Sequence, residues 1–184
     1  MWRHRIARRR LAIHALVLLM AMLLSSCGSG HPETPRSPRI TSPPLSSSHE
    51  AGRWQAMRAY RGLWRAIVAA SRTSNPDAPQ LRQYAQGQAL RLIVSGLYTN
   101  RDQGKVSKGT VTLSPHIVAA TPKAGPNRVV IRDCVDDSSW LDYTTHGALW
   151  DHRPGGKHDT VAVVKHRDDA WRVDSIVLKD AGTC

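Results

Sequence analysis

The hydrophobic pattern of this chain changes its period near Gly104, and this change restricts the fold more than any other feature of the sequence. Before that point, apolar residues recur at three- and four-residue intervals, as on one side of an amphipathic helix. After it, runs rich in Val, Thr and Ile alternate with turn residues, which is typical of strands. Helices first and closely spaced strands afterwards predict an α+β domain, with the helices covering one face of a curved antiparallel sheet.

Three helices are predicted in the first half of the domain. The first covers residues 53–71 and is ended by two prolines between residues 74 and 79. A short helix around residues 81–85 follows, and a third ends by Asn100. The apolar side of the first helix is predicted to hold Trp54, Met57, Tyr60, Trp64, Ile67 and Val68.

The second half of the domain predicts five strands. They cover residues 110–113 with an extension through 117–121, then 128–135, 140–143, 160–167 and 171–178. The residues Asp168 and Asp169 predict a tight hairpin between the last two strands, because acidic and amide side chains favour turns.

An export signal comes before the domain. Residues 1–10 hold five Arg and no acidic residue, residues 11–24 are apolar, and Ser25, Ser26 and Cys27 follow. This is the order of a secretory signal peptide, over residues 1–26. As a helix, the apolar run measures about 21 Å, which is short of the roughly 30 Å membrane core, so a permanent transmembrane helix is the weaker interpretation.

The residues just before Cys27 resemble the lipobox of bacterial lipoproteins. The resemblance implies that the signal is removed, that the Cys27 thiol carries lipid such as palmitate, and that the protein stands on the outer face of the cell membrane. An ordinary signal peptide or an uncleaved anchor is the alternative. Residues 27–52 are rich in Pro, Ser and Gly and predict a disordered tether, which leaves residues 53–184 as the domain.

The charge of the chain is strongly basic. The formal net charge is +12, and between residues 53 and 101 eight Arg are balanced by Asp77 alone. A basic face toward anionic lipid, wall polymer or another envelope protein is one interpretation, and a solvated helical face is the other. Nucleic acid is a poor partner for an exported protein.

Two cysteines remain beside Cys27. In an exported protein, Cys134 and Cys184 predict one disulfide. It would close a loop of about fifty residues, which is worth about 4 kcal/mol on the chain-entropy model. Two free thiols are the alternative.

The order of elements resembles the NTF2-like superfamily, which includes SnoaL-like and ketosteroid-isomerase-like proteins. Segments at residues 87–90, 94–100, 133–140 and 182–184 are more closely similar to those of small secreted proteins and lipoproteins of actinobacteria to which no activity is assigned. The resemblance spans residues 51–184 and implies a cone of about three helices packed on a curved sheet. It implies little about activity, because such domains serve as enzymes, binding pockets and scaffolds.

Asp133 is the one carboxylate that the strand pattern places in an apolar setting. Alternation puts it on the same face as Val129, Ile131 and Val135. If that face lines the mouth of a cone, its pKa would be raised and it could act as a general base, together with a histidine such as His166. The alternative is a structural Asp133 at a strand end or paired with an arginine.

The remaining polar motifs predict turns and loops. Asp136 and Asp137 precede two serines, and an Asx or Ser-stabilised turn explains them better than a calcium site. His146, His152 and His158 recur every six residues, either as metal ligands or as solvated loop residues. No phosphate loop or known catalytic motif is found, so no cofactor or metal is predicted.

The sequence thus favours a surface-anchored, non-enzymatic NTF2-like module that binds a ligand or assembles with a partner at the cell envelope. The alternative is a pocket enzyme of the isomerase or cyclase kind that acts on a small organic molecule. A closed pocket lined by Asp133 and a second polar group would support the enzyme. A filled cone with an exposed apolar or arginine-rich face would support the binding module.

Overall fold

A computed structural model describes residues 45–184, with side chains from His49 onward. The helices of this part are α1 (Leu45–Ser71), α2 (Pro79–Tyr84) and α3 (Gly87–Asp102), and its strands are β1 (Lys105–Gly109), β2 (His116–Thr121), β3 (Arg128–Asp136), β4 (Trp140–Thr144), β5 (Lys157–Arg167) and β6 (Ala170–Leu178). The predicted α+β class is confirmed. The predicted signal peptide, Cys27 and most of the tether lie outside the described residues. None of the three helices is apolar enough over a sufficient length to span a membrane.

Helix α1 begins at Leu45, eight residues before the predicted start at Arg53. Residues 45–52 were assigned to the tether because they include three serines and a glycine. Proline, however, is the residue that a helix interior excludes, and no proline occurs between Pro44 and Pro76. Gly52 also lies against Pro126 of the β2–β3 loop, so α1 contacts the domain at this position.

One side of α1 forms the helical half of the core. Tyr60 and Leu63 are fully buried, and Trp64 is nearly so. Trp54 was predicted on this side and is 59% exposed. The guanidinium of Arg58 lies over its ring instead, 4.6 Å from the centroid. Trp54 is six residues before Tyr60, which is about 120° around the helix, so it lies off the side that faces the sheet.

The main sheet has four antiparallel strands in the order β2-β3-β5-β6, and β1 pairs with β4 in a second, two-stranded sheet. Burial alternates along β3, as its sequence predicted. The helices cover the face of the main sheet that carries the buried residues Val129, Ile131, Asp133, Val135, Ala162, Val164, Val173 and Ile176.

Two strand predictions were wrong in detail. Residues 110–113 form no strand, and only Thr112 makes an isolated bridge, to Asp136. Strand β1 was missed because its sequence, KVSKG, has no apolar alternation; it is a strand because β4 pairs with it along its whole length. Pairing with the backbone of β4, rather than an alternation of its own side chains, makes this segment a strand.

The hairpin between β5 and β6 is confirmed. Asp168 and Asp169 have φ angles of +48° and +55°, the left-handed values that a two-residue type I′ turn requires at both positions. Aspartate tolerates this region better than most non-glycine residues.

The predicted disulfide is present and holds the C-terminal tail against the sheet. Cys134 on β3 bonds Cys184, with the two Cα atoms 5.9 Å apart. The hydroxyl of Thr183 accepts a hydrogen bond from the backbone N–H of Asp159, and Gly182 N–H donates to the carbonyl of Lys157. The tail is therefore attached to both β3 and β5.

Candidate functional site

A cleft of about 330 Å³ lies between α1 and the segment of residues 110–113. This volume is at the lower end of the range for small-molecule sites. We call it the arginine cleft. It is lined by Arg61, Trp64, Arg65, Val68, Ala69, Arg72, Thr110, Val111 and Leu113.

The cleft is elongated along α1. The hydroxyl of Ser74, just beyond the end of α1, donates a hydrogen bond to the carbonyl of Lys105 at the start of β1. At the other end, the backbone N–H of Ser114 donates to Asp133, which also binds Tyr60 of α1. The chain from residue 105 to 114 therefore runs back along α1, and the arginine cleft lies between these two attachments.

Helical spacing places the three cleft arginines on one side of α1. Arg61 and Arg65 are one turn apart, and Arg72 follows seven residues later, which brings it back to nearly the same side. The side chains between them are apolar, namely Val68 and Ala69. The cleft thus has a pair of guanidinium groups toward one end, an apolar middle and a single arginine at the other end.

These three arginines have no carboxylate within ion-pair distance in the described part of the chain. The reason is in the sequence: the segment that faces α1 belongs to a stretch without any acidic residue between Asp102 and Asp133. Like charges one helical turn apart repel each other. The helix therefore carries positive charge in the cleft that no described carboxylate pairs with directly, although Arg61 is near enough to the buried Asp133 to lower its pKa.

Asp133 lies beneath one end of the cleft and is sealed from solvent. It is 1% exposed. Its Oδ2 accepts a hydrogen bond of 2.8 Å from the Tyr60 hydroxyl, and its Oδ1 accepts one of 2.6 Å from Ser114 N–H. The prediction that it shares a face with apolar residues is confirmed, and its partners are a tyrosine and a backbone amide.

Burial governs the protonation of this pair. It raises the pKa of the Asp133 carboxyl, and the hydrogen bonds from Tyr60 and Ser114 oppose that rise. Burial, followed by the nearby charge of Asp133, raises the pKa of the Tyr60 hydroxyl far above its usual value. The positive charge of Arg61 lowers the pKa of both groups, against the effect of burial.

The structure does not bring Asp133 together with His166. Asp133 is opposite Thr160 in the β3–β5 register, and His166 is six positions further along β5, which is about 20 Å away on an extended strand. His166 is exposed and packs against Trp171, with the ring centroids 5.4 Å apart. The suggestion that these two residues act as an acid–base pair was wrong.

The other predicted polar motifs have structural contacts. Ser138 donates its N–H and its hydroxyl to Oδ1 of Asp136, at 3.1 and 2.6 Å, which is the predicted Asx turn. His158 contacts the Lys179 carbonyl at 2.7 Å and Asp137 at 3.1 Å. His146 and His152 are exposed in the β4–β5 loop. No three potential metal ligands come together within residues 49–184.

A second cleft, of about 350 Å³, is also lined by residues of α1. It is more polar, and its lining includes Arg58, Gln83 and Trp171. Arg65 reaches both clefts, whereas Arg61 and Arg72 line only the arginine cleft. Substitutions of Arg61 or Arg72 therefore test the arginine cleft alone, and a substitution of Arg58 tests the second cleft alone.

The sequence prediction of a basic face did not single out Arg61, Arg65 and Arg72. The signal that could have identified them is their shared helical side with Val68, together with the absence of acidic residues in the chain segment that follows α3. That signal becomes meaningful only when the partner segment is known to lie against α1.

No protein-family model matches the chain, and no curated protein matches it. Among solved structures, the chain is similar to the intermembrane-space region of the chloroplast protein ARC6, at 12% identity and a TM-score of 0.45, over 68% of this chain and 95% of that one. Two proteins of unknown function with a cystatin-like fold from Nostoc punctiforme are similar at 8% identity with a TM-score of 0.46 and at 9% with 0.42. The first match covers 69% of this chain and 78% of the other, and the second covers 71% and 92%.

Proposed function

We propose that this protein is a non-enzymatic binding module of the cell envelope and that the arginine cleft is its ligand site. The ligand class is an anion. The observation that carries the proposal is the set of three arginines without carboxylate partners around a cleft of about 330 Å³. All three arginines are exposed and make no ion pair with the other described residues, so an anion in the cleft can form charge-assisted hydrogen bonds with them without displacing an existing partner.

The sealed position of Asp133 favours a binding module over a pocket enzyme. A general base must reach the proton that it removes, within hydrogen-bond distance or through one water. Both Asp133 oxygens already accept hydrogen bonds, and the side chain is 1% exposed. A substrate in the arginine cleft would therefore meet guanidinium groups and apolar side chains rather than this carboxylate.

The location at the outer face of the membrane is part of the proposal and comes from the sequence. Cys27 with its lipobox-like context would carry the lipid, and residues 28–44 would connect the membrane to α1. A basic binding site is suited to this place, because anionic lipids and wall polymers are concentrated there.

The anchor is tested by mass spectrometry of the membrane fraction. We expect a mature N-terminus at Cys27 that carries acyl chains, and release of a Cys27→Ser variant from the membrane. A mature N-terminus at another residue, or normal processing and retention of the variant, contradicts the anchor while leaving the cleft proposal intact.

The binding site is tested by NMR of the arginine side-chain Nε–Hε groups in the full chain, titrated with inorganic phosphate at low ionic strength. We expect saturable shifts at Arg61 and Arg65, which are one helical turn apart, with about tenfold weaker binding in Arg61→Gln. Arg58→Gln is the matched control, because this arginine is on the same helix but lines only the second cleft. Equal shifts throughout all surface arginines, or equal loss in both variants, would overturn the site.

A further inference from the structure

We infer that the natural ligand of the arginine cleft is an amphipathic anion with a single apolar chain, such as a free fatty acid or another single-chain acidic lipid. This inference rests on the proposed anion site and names its ligand class. The head would bind between Arg61 and Arg65, and the chain would lie along the apolar middle of the cleft toward Arg72.

The apolar middle of the cleft is the first argument. Val68 projects from α1, and Val111 and Leu113 come from the opposite segment; all three side chains are partly exposed. A small inorganic anion would leave them in contact with water, and a hydrated polyanion would place charges beside them. An alkyl chain covers them and contributes free energy in proportion to the apolar area that it buries.

The second argument is the distribution of charge along the helix. Arg61 and Arg65 are about 6 Å apart along the axis, close enough for both to contact one carboxylate or phosphate. Arg72 is about 16 Å from Arg61 along the axis, so one small head group cannot contact all three. The space between the arginine pair and Arg72 is apolar, and this favours a chain rather than a second anionic group there.

Trp64 closes the cleft on the domain side. Trp64 forms part of the lining although it is only 4% exposed, so the ligand chain would contact a small part of its side chain; the buried Asp133 is not among the residues that line the cleft. The long aliphatic stem of Arg72 can flank the end of the chain while its guanidinium stays in water. The cleft then has a charged end for the head, apolar walls and an outlet.

The test compares four probes by titration calorimetry against the full chain carrying Cys27→Ser, each below its micelle concentration. The probes are laurate, butyrate, dodecyl maltoside and inorganic polyphosphate. Each methylene that the cleft covers should lower Kd by about fourfold, so laurate should bind at least tenfold more tightly than butyrate. Dodecyl maltoside, with the same chain and a neutral head, should bind at least tenfold more weakly than laurate.

Two variants locate the chain and the head. Val111→Thr keeps the shape of the side chain but replaces one methyl group with a hydroxyl, so it should weaken laurate severalfold and leave phosphate binding unchanged. Val118→Thr, at a 53% exposed valine on β2, is the matched control and should change neither. Arg61→Gln should weaken laurate and phosphate alike, by about tenfold.

The outcomes separate the two proposals. If phosphate binds in the cleft but laurate binds no more tightly than butyrate, the chain inference is overturned and the anion site stands. The same conclusion follows if polyphosphate is the tightest probe and its binding is unchanged in Val111→Thr. If dodecyl maltoside equals laurate, the cleft is an apolar site and both are overturned. If neither phosphate nor laurate depends on Arg61, the proposed site itself fails.

Discussion

Two groups of cations in this protein differ in whether the fold supplies them with a carboxylate. On the main sheet, Arg132 donates to both oxygens of Asp159, at 2.7 and 2.9 Å, and Lys179 donates to the same carboxylate at 2.7 Å. In the arginine cleft, Arg61 and its two neighbours have no such partner among the described residues.

The difference follows from how each group is assembled. The antiparallel registers of β3, β5 and the tail place Arg132 and Lys179 on either side of the buried Asp159. The segment that faces α1 has no acidic residue to offer. The paired cations therefore contribute to stability, and the unpaired ones are available to a ligand at some cost to the helix.

Removal of the disulfide should have the largest effect on the stability of the region that holds the paired cations. The Cys134→Ser, Cys184→Ser double variant loses a loop closure across 50 residues, so its free energy of unfolding should fall by about 4 kcal/mol. The loss concerns the tail that carries Lys179, whereas the arginine cleft is at the helices. Urea unfolding measures the first effect and phosphate titration the second; a folded variant that no longer binds phosphate would contradict the independence of the two regions.

The second largest effect should come from acid, which weakens the ion pairs of Asp159 with Arg132 and Lys179. Hydrogen bonds from Arg132 and Lys179 hold the pKa of Asp159 well below its usual range. A carboxyl with a lowered folded-state pKa stabilises the protein above about pH 4, the pKa in the unfolded chain, and this contribution is lost as the pH falls toward the folded value. Asp159→Asn should therefore lower the urea midpoint at pH 7 and flatten its decline toward pH 2.

The control for the acid experiment is Asp77→Asn. Asp77 is exposed and makes no ion pair with the other described residues. An Asp77 variant with the same flattened acid profile would show that the pairing with Arg132 and Lys179 is not the cause.

Removal of the Tyr60 hydroxyl should have an intermediate effect on the free energy of unfolding. Tyr60→Phe removes the donor to Asp133 Oδ2 and leaves a buried carboxylate oxygen without a partner, which should lower the free energy of unfolding by about 1–3 kcal/mol. Tyr98→Phe is the control, because Tyr98 is 41% exposed. If both tyrosine variants are equally stable, the buried hydrogen bond does not contribute as described.

The smallest expected effect is a change in stability that has opposite signs in the two groups of cations. Arg65→Gln relieves repulsion with Arg61 one turn away, so the unliganded protein should gain about 0.3 kcal/mol, while its affinity for phosphate falls. Arg132→Gln should instead lower the unfolding temperature and leave phosphate binding unchanged. Differential scanning calorimetry with and without phosphate measures both; a loss of stability in Arg65→Gln would mean that this arginine has a structural partner.

Local patterns predicted most of the secondary structure because they depend on neighbours in the chain. The helical spacing of Tyr60, Trp64 and Ile67, the alternation along β3 and the two aspartates of the β5–β6 turn all gave the observed elements. Strand β1 could not be predicted, because its pairing with β4 comes from residues more than thirty positions away. The start of α1 was misplaced because serines and a glycine suppress helix propensity without preventing a helix that packs on the domain.

In the candidate site, too, some features were predicted from the sequence and others depended on residues that are distant in the chain. Alternation correctly placed Asp133 on the apolar face, but only the folded chain decided that Tyr60 and Ser114 would occupy its oxygens and close it to solvent. The arginines of α1 were visible as a basic helix. Whether a carboxylate would meet them depended on which segment packed opposite.

The sequence by itself determined the α+β class, the order of helices and strands, the tight β5–β6 turn and the Cys134–Cys184 pair, because these depend on local periodicity, local backbone preference and the number of available thiols. Only the tertiary structure decided that Asp133 is sealed, that Arg132 and Lys179 share Asp159, and that the cleft arginines have no ion-pair partner among residues 49–184. Charges interact strongly only over a few ångströms, and the partners that come that close are separated by tens of residues in the chain.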